Sequence, residues 1–390
     1  MKFLNKEVKL AIIDFYGFVV GSQFDFEDNW GLSKSFTKEV FRMLLSRDVL
    51  ITLIIDHGDT QKLIEFMDEE DGLSQYFDKI YTFDENETHL EKYEKITKEY
   101  NLNKEEVMVI EDDLINIDAL YKQGYLAVLI GDYYMDQVNG DSTGKCDYHA
   151  DCVFDLTQKL EEDVPLPILE IDNFRVKKQM DGWSILGLIN PVKTLHIPAT
   201  LDGKRVYKID REAFKDQEFD EIILPEGLLE LFVGAFDGVK GPKELTIPST
   251  VNEASLFAIG ISTLETLNLL GYIYDTTSFL YDTDNLKHIN FPEGWKQIRM
   301  RGFWCLHALE EVELKEGLEV IGTQGFNFCD NLKVVHLPHS LKRIQDNAFY
   351  RCFKLETVYY HGTPEDKEKI VIINEDNGND LLINANWIYI

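Results

Sequence analysis

The 390-residue chain has no apolar run of the roughly eighteen residues that a membrane-crossing helix needs, so no helical span is expected. Cysteine is scarce. Five residues in this length do not suggest a disulfide scaffold, and three of them (Cys305, Cys329, Cys352) recur at even spacing. Positive charge is short as well: 39 Lys and Arg stand against 70 Asp and Glu, a formal net charge of −31. Such a surface repels phosphate backbones, which disfavours nucleic acid. It suits basic protein partners or bound cations, although simple solubility is the plainer account of it. A secretory leader is not evident: Asp14 interrupts the apolar stretch of MKFLNKEVKLAIIDFYGFVV, and no small-residue cleavage site follows. A reduced, cytoplasmic location is the expectation.

What is present is apolar and aromatic. Hydrophobic residues make up 44%, with 24 Phe and 18 Tyr, so global disorder is excluded and the length allows two domains. From Gly302 to Tyr360 one phrase recurs: Gly302-Phe303, Gly325-Phe326 and Ala348-Phe349 each open a block. Cys305, Cys329 and Cys352 follow, then Leu309, Leu332 and Leu355, then Val312-x-Leu314, Val335-x-Leu337 and Val358-x-Tyr360. Leu318-x-x-Ile321 and Leu341-x-x-Ile344 fill the connections. The period of about 23 residues lies in the leucine-rich repeat range. Searching backwards adds short strands at Leu195-x-Ile197, Ile222-x-Leu224, Leu245-x-Ile247, Leu267-x-Leu269 and Ile289-x-Phe291, with eroded blocks near Phe257 and Phe279. Alternation turns one set of side chains inward to a stacked core and the other outward. Outward positions include His288, Asn290, Glu311, Glu313, His336 and Tyr359, a polar and aromatic mixture suited to a protein partner. The cysteine column reads as small buried hydrophobes, because metal sites use tighter local spacing.

The pattern from Asn173 to the C-terminus resembles the BspA-like leucine-rich repeat family, which implies a solenoid with a protein-binding face. His361 to Ile390 is expected to cap it.

The first part of the chain alternates differently. Val8 to Phe15, Val49 to Ile55, Lys79 to Thr82, Val107 to Glu111 and Leu126 to Ile130 read as buried strands, with Cys152 to Phe154 as a last short one. Helical patterns at Ser33–Ser46, Gln61–Met67, His89–Tyr100 and Ile117–Gln123 separate them. The order predicts a doubly wound, Rossmann-like α/β domain over 1–163, a linker over 164–172, and repeats over 173–390. Ligands of such sheets collect at the carboxyl ends of the strands, where Asp14, Asp56, Asp112 and Asp113 fall.

With AIIDFYGFVV, VMVIEDDLINID and HADCVFDL, residues 1 to 162 resemble the haloacid dehalogenase-like superfamily, in a capless form. The resemblance implies Asp14 as nucleophile, and Asp14, Asp112 and the backbone carbonyl of Tyr16 as Mg²⁺ ligands. The departures bear on activity. Tyr16 stands where phosphatases have their second Asp, and Phe18 replaces a Thr of the phosphate cradle. Asp56 occupies the place of a Ser or Thr, and Glu87, Thr88 and His89 stand where the family has its Lys. Phosphoryl transfer depends on positioning and charge neutralisation, so these losses together remove most of it. The expectation is a protein-binding repeat protein with a degenerate, inactive α/β domain and Mg²⁺ as its candidate cofactor. The alternative is a Mg²⁺-dependent hydrolase using Asp14 on a macromolecule presented by the repeats.

Overall fold

Three of the six sheet strands in the first part of the chain are apolar runs buried or half-buried along their length, and a fourth is so after its first residue, as a parallel sheet covered on both faces requires. The computed structural model describes residues 1–14, 30–55, 64, 73–83, 87–130, 145–150, 153–180, 182–274, 276, 278–374 and 378–390, excluding the side chains of 30–36, 114 and 154. Two compact units emerge, Met1–Pro167 and Ile168–Ile390.

In the first unit β1 (Leu10–Asp14), β2 (Leu50–Ile55), β3 (Lys79–Thr82), β4 (Val107–Glu111), β5 (Leu126–Ile130) and β6 (Tyr148–Ala150) form one parallel sheet in the order 3-2-1-4-5-6. The order reverses between β1 and β4, so their carboxyl ends flank the crevice that such a reversal opens. Helices α1 (Trp30–Leu45) and α4 (Val153–Asp163) cover one face, where Phe41, Leu44, Leu156 and Leu160 pack on Ala11, Ile13 and Ile110. Between them in sequence, α2 (His89–Glu99) and α3 (Leu114–Lys122) cover the other. There Tyr93, Ile96 and Leu120 meet Leu10, Ile12, Val107 and Val109. Thr88 begins α2 with a capping box to Glu91.

One expected element is corrected. The last strand is Tyr148–Ala150, and Val153 and Phe154 belong to α4 instead. Leu156 and Leu160, four apart and both buried, give that segment a helical face that a three-residue alternation cannot outweigh. The expected helix Gln61–Met67, along with Tyr16, Phe18 and Asp56, lies outside the described residues apart from position 64.

The second unit opens with an antiparallel set, Ile168–Ile171, Phe174–Gln179 and Gly182–Leu188, within and after the stretch that the sequence offers as a linker. Gly182–Leu188 then pairs in parallel with Lys204–Ile209, which continues to Glu230–Leu231 and Glu253–Ala254. A buried polar knot ties this sheet. Asp210 Oδ2 accepts from Ser184 Oγ at 2.7 Å and meets Lys177 Nζ at 3.0 Å, while Oδ1 accepts from the Arg211 N–H.

The repeat strands follow as β7 (Glu244–Ile247), β8 (Thr266–Leu269), β9 (His288–Asn290), β10 (Glu311–Glu313), β11 (Val334–Leu337), β12 (Thr357–Tyr360) and β13 (Asn386–Tyr389). Their inward residues, Leu245 to Tyr360, form one continuous core. A second ladder of Gln297–Ile298, Val320–Ile321, Arg343–Ile344 and Val371–Ile372 runs through the connections. Behind them the block-opening phenylalanines stack: Phe303, Phe326 and Phe349 lie 5.7 and 5.4 Å apart with nearly parallel rings. The segment from His361 adds β13 to β12, so the expected cap extends the ladder by one strand.

Candidate functional sites at the strand ends and on the repeat face

Asp14 closes β1 and is buried at 6% exposure. Strand alternation sends it to the α2/α3 face, as it does Glu111 at the end of the neighbouring β4. Glu111 is the hub there. Its Oε1 lies 2.9 Å from His89 Nδ1 and accepts from Tyr93 Oη at 2.9 Å, and Asn116 Nδ2 donates to it at 3.3 Å. His89 Nδ1 is also 3.0 Å from Asn116 Nδ2. Asp112 follows the strand. Burial first, then the adjacent Glu111, holds its carboxyl above the usual carboxylate range. Asp113 is the N-cap of α3, accepting from the Ile115 and Asn116 N–H groups, and Asp118 pairs with Lys122.

Of the three expected metal ligands, Asp14 and Asp112 come from neighbouring strand ends, and Tyr16 lies outside the described residues. Among the described residues no group of three or more His, Cys, Asp or Glu side chains is placed to hold a metal. The sequence reading missed the His89–Glu111–Tyr93–Asn116 cluster. Its one signal was His89 in the place where the resembled family has a lysine.

On the repeat face His288, Asn290, Glu311 and Glu313 are exposed, and His336 and Tyr359 half-buried. His336 Nε2 is 2.8 Å from Glu311 Oε1, and its ring stacks on Tyr359 with centroids 4.7 Å apart. Asn290 Nδ2 donates to Asn268 Oδ1 at 2.6 Å, and Asn268 in turn donates to Glu244. At the strand starts a column alternates in charge. Glu265 meets Lys243 at 2.9 Å and Lys287 at 2.8 Å, and Glu310 meets Lys333 at 2.7 Å.

This face is divided. β7, β8 and β9 form one sheet and β10 to β13 another, with a cleft of about 620 Å³ between β9 and β10. His288 and Asn290 stand on one lip, and Glu311 and Glu313 on the other. The strand starts at Thr266, His288, Val334, Thr357 and Asn386 each donate to the preceding repeat, as His288 N–H does to Glu265 O and Val334 N–H to Glu310 O. Glu244 at the start of β7 has, among the described residues, no such bond to the strand Glu221–Ile223. Among the described residues the matching bonds from Glu310 and Glu311 N–H to Lys287 O are missing, and no ion pair joins Lys287 to Glu310.

The cysteine column is buried at Cys329 and Cys352 and half-buried at Cys305. Cys329 Sγ donates to Phe303 O and Cys352 Sγ to Phe326 O, and burial pushes the Cys352 thiol up to about 12.

The family model for the BspA type leucine rich repeat region matches residues 207–303 and 276–369, in six copies. Residues 207–369 carry BspA-type leucine-rich repeats. No curated protein matches the chain. Among solved structures it is similar to a leucine rich cell surface protein from Faecalibacterium prausnitzii A2-165, at 12% identity and a TM-score of 0.27, covering 53% of this chain and 97% of that one. A leucine-rich repeat protein from Bacteroides ovatus ATCC 8483 matches at 15% identity and a TM-score of 0.25, over 49% and 70% of the two chains. The T. pallidum leucine rich repeat protein matches at 21% and 0.26, over 50% and 71%. The matched span lies within the second unit, and the cleft falls inside it.

Proposed function

We propose that the protein is a protein-binding module: the outward face of β7 to β13 engages a protein partner. In this reading the first unit is a degenerate haloacid dehalogenase-like domain without turnover, and the protein works in the cytoplasm. The observation that carries it is the row His288, Asn290, Glu311, Glu313, His336 and Tyr359, polar and aromatic groups held in fixed order over a buried core. Solenoid faces of this composition suit proteins, and the acidic chain favours a basic one. The test places a photo-crosslinking residue at Tyr359 and follows the crosslinked partner. The double variant Glu311→Lys, Glu313→Lys is expected to lose that partner, and Asp14→Asn to keep it. The opposite pattern would overturn the reading.

A second reading is favoured by the placement of Asp14 and Asp112 at the carboxyl ends of the neighbouring strands β1 and β4. In it the first unit is a capless Mg²⁺-dependent hydrolase with Asp14 as nucleophile, acting on a macromolecule presented by the repeats. Asp14 and Asp112 would hold the ion through carboxylate oxygens, which suit Mg²⁺, together with the Tyr16 carbonyl. The ion would supply neutralisation of charge on the transferred group. Calorimetric Mg²⁺ titration of the wild type and Asp14→Asn, run beside a phosphatase assay, separates the two. Turnover lost in Asp14→Asn would establish the hydrolase. Saturable binding without turnover fits a metal-stabilised scaffold.

A further inference from the structure

We propose that the cleft between β9 and β10 receives an extended segment of the partner protein, seated by an arginine side chain. The proposal rests on the face-binding reading above and names its site and chemistry.

The cleft has a local cause in the sequence. In the flanking repeats an asparagine at the turn before the strand ties each repeat to the one before: Asn285 Nδ2 donates to Ser262 O at 2.7 Å, and Asn331 Nδ2 to His307 O at 2.6 Å. The equivalent position at the break is Ala308, which has no side-chain donor for the preceding turn. The spacing of inward residues also changes here, from 22 (Leu267 to Ile289) to 23 (Ile289 to Val312). The ladder therefore opens where its side-chain tie is missing, although Lys287 and Glu310 are of opposite charge.

β9 and β10 stay within 8 Å of each other, closer than a strand between them would allow, so a bound segment lies over the outer rim of the cleft. Among the described residues the N–H groups of Glu310 and Glu311 and the carbonyl of Lys287 have no backbone partner across the cleft. A segment in extended conformation laid over that rim presents N–H and C=O groups to these backbone groups. The volume lies within the range of ligand-binding clefts.

Charge selects the side chain. Lys287 is turned to Glu265, Lys315 to Glu313 and Lys333 to Glu310. Glu311 is left with an imidazole, His336, in place of an ammonium or guanidinium. Asn290 donates its amide to Asn268, which leaves its carbonyl oxygen as an acceptor on the opposite lip. Carboxylate, amide oxygen and backbone carbonyl make a spread of acceptors, which the planar five-donor fork of arginine matches better than the compact ammonium of lysine.

The experiment uses the full chain and three blocked decapeptide mixtures, degenerate except for a central arginine, citrulline or glutamate. Hydrogen exchange by mass spectrometry follows 287–291 and 310–314, and fluorescence anisotropy gives the affinity. The arginine mixture is expected to bind and slow exchange in both segments, and the citrulline and glutamate mixtures to bind about tenfold more weakly or not at all. Glu311→Gln is expected to weaken the arginine mixture about tenfold. Ala308→Asn, which restores the missing tie, should slow exchange at 310–314 without peptide and reduce binding. The proposal falls in three cases: no mixture binds at millimolar concentration, arginine and citrulline bind alike, or 310–314 is already protected in the wild type. If the crosslinked partner is lost in Glu311→Lys, Glu313→Lys while the arginine mixture does not bind, the face reading stands and the cleft proposal alone fails.

Discussion

Phe326→Ala is the most direct test of how the repeats hold together. Phe326 is fully buried, and its ring lies between Phe303 at 5.7 Å and Phe349 at 5.4 Å, at interplanar angles of 17° and 15°. Truncating a buried Phe removes its transfer energy and leaves a cavity, together about 3–5 kcal/mol. Each aromatic contact adds about 0.5–1.5 kcal/mol beyond area, so a loss near the top of that range, about 5 kcal/mol, is expected. The readout must report the repeat unit alone, since two units need not unfold together. Cys329 and Cys352 serve: both are buried, and Cys352 Sγ donates to the carbonyl of Phe326 itself. Pulsed thiol labelling in rising urea then gives the midpoint for this stretch. Phe353→Ala is the control, since Phe353 is 67% exposed and should change stability by no more than about 0.5 kcal/mol. A Phe326→Ala loss below about 1 kcal/mol would refute the stacked column as a source of stability.

Two further predictions follow from buried groups. Burial alone would raise the Asp210 carboxyl, but Lys208 and Lys177, with Ser184 and the Arg211 N–H, hold it far below the usual range. A depressed folded-state pKa gives stability that is present above the unfolded carboxylate range near 4 and lost as pH falls through the folded value. Asp210→Asn should therefore cost about 3–5 kcal/mol at neutral pH and flatten acid unfolding of the first repeat sheet, read by tryptophan fluorescence; unchanged acid unfolding would refute it. Burial also raises the thiols of Cys329 and Cys352, so neither should react with a thiol reagent at pH 8 until the repeats unfold. Fast reaction of either in the native protein would show the column to be open.

The repeats were legible because several residue types recur together at one spacing. Phe326, Cys329, Leu332 and Val335 each land on a core position, and His288, Glu311 and Glu313 land on the exposed rows. The parallel strands of the first unit were legible from apolar runs such as LAIID and VMVIE. The segment after Ala150 was misread because the three residues Cys152 to Phe154 carry too little pattern, whereas Leu156 and Leu160 placed four apart define α4. At the strand ends, the acids of AIID and IEDD were visible in the sequence. That Glu111 rather than Asp112 gathers His89, Tyr93 and Asn116 was not, because only the third-dimension pairing of β4 with α2 and α3 decides it.

The cleft shows a different limit. A repeat template detects what recurs, and the feature at Ala308 is a departure: the side-chain donor that Thr263, Asn285, Asn331 and Lys354 each supply toward the preceding repeat is missing there. Alanine is a common residue with no chemistry of its own, so it raises no signal until the neighbouring amides are seen donating to the turns before them. The charges nearby mislead in the same way. Lys243, Glu265, Lys287, Glu310 and Lys333 alternate in sign, and read as a column they predict an unbroken ladder of pairs. The structure shows each pair closed except the one across Ala308, so exposed charge complementarity is too weak to shut a gap that the side-chain tie leaves open. A surface ion pair contributes at most about 1 kcal/mol, whereas the lost ladder leaves several backbone groups facing water and free to pair with another chain. Function in a solenoid of this kind is therefore to be sought where the repeat is least regular.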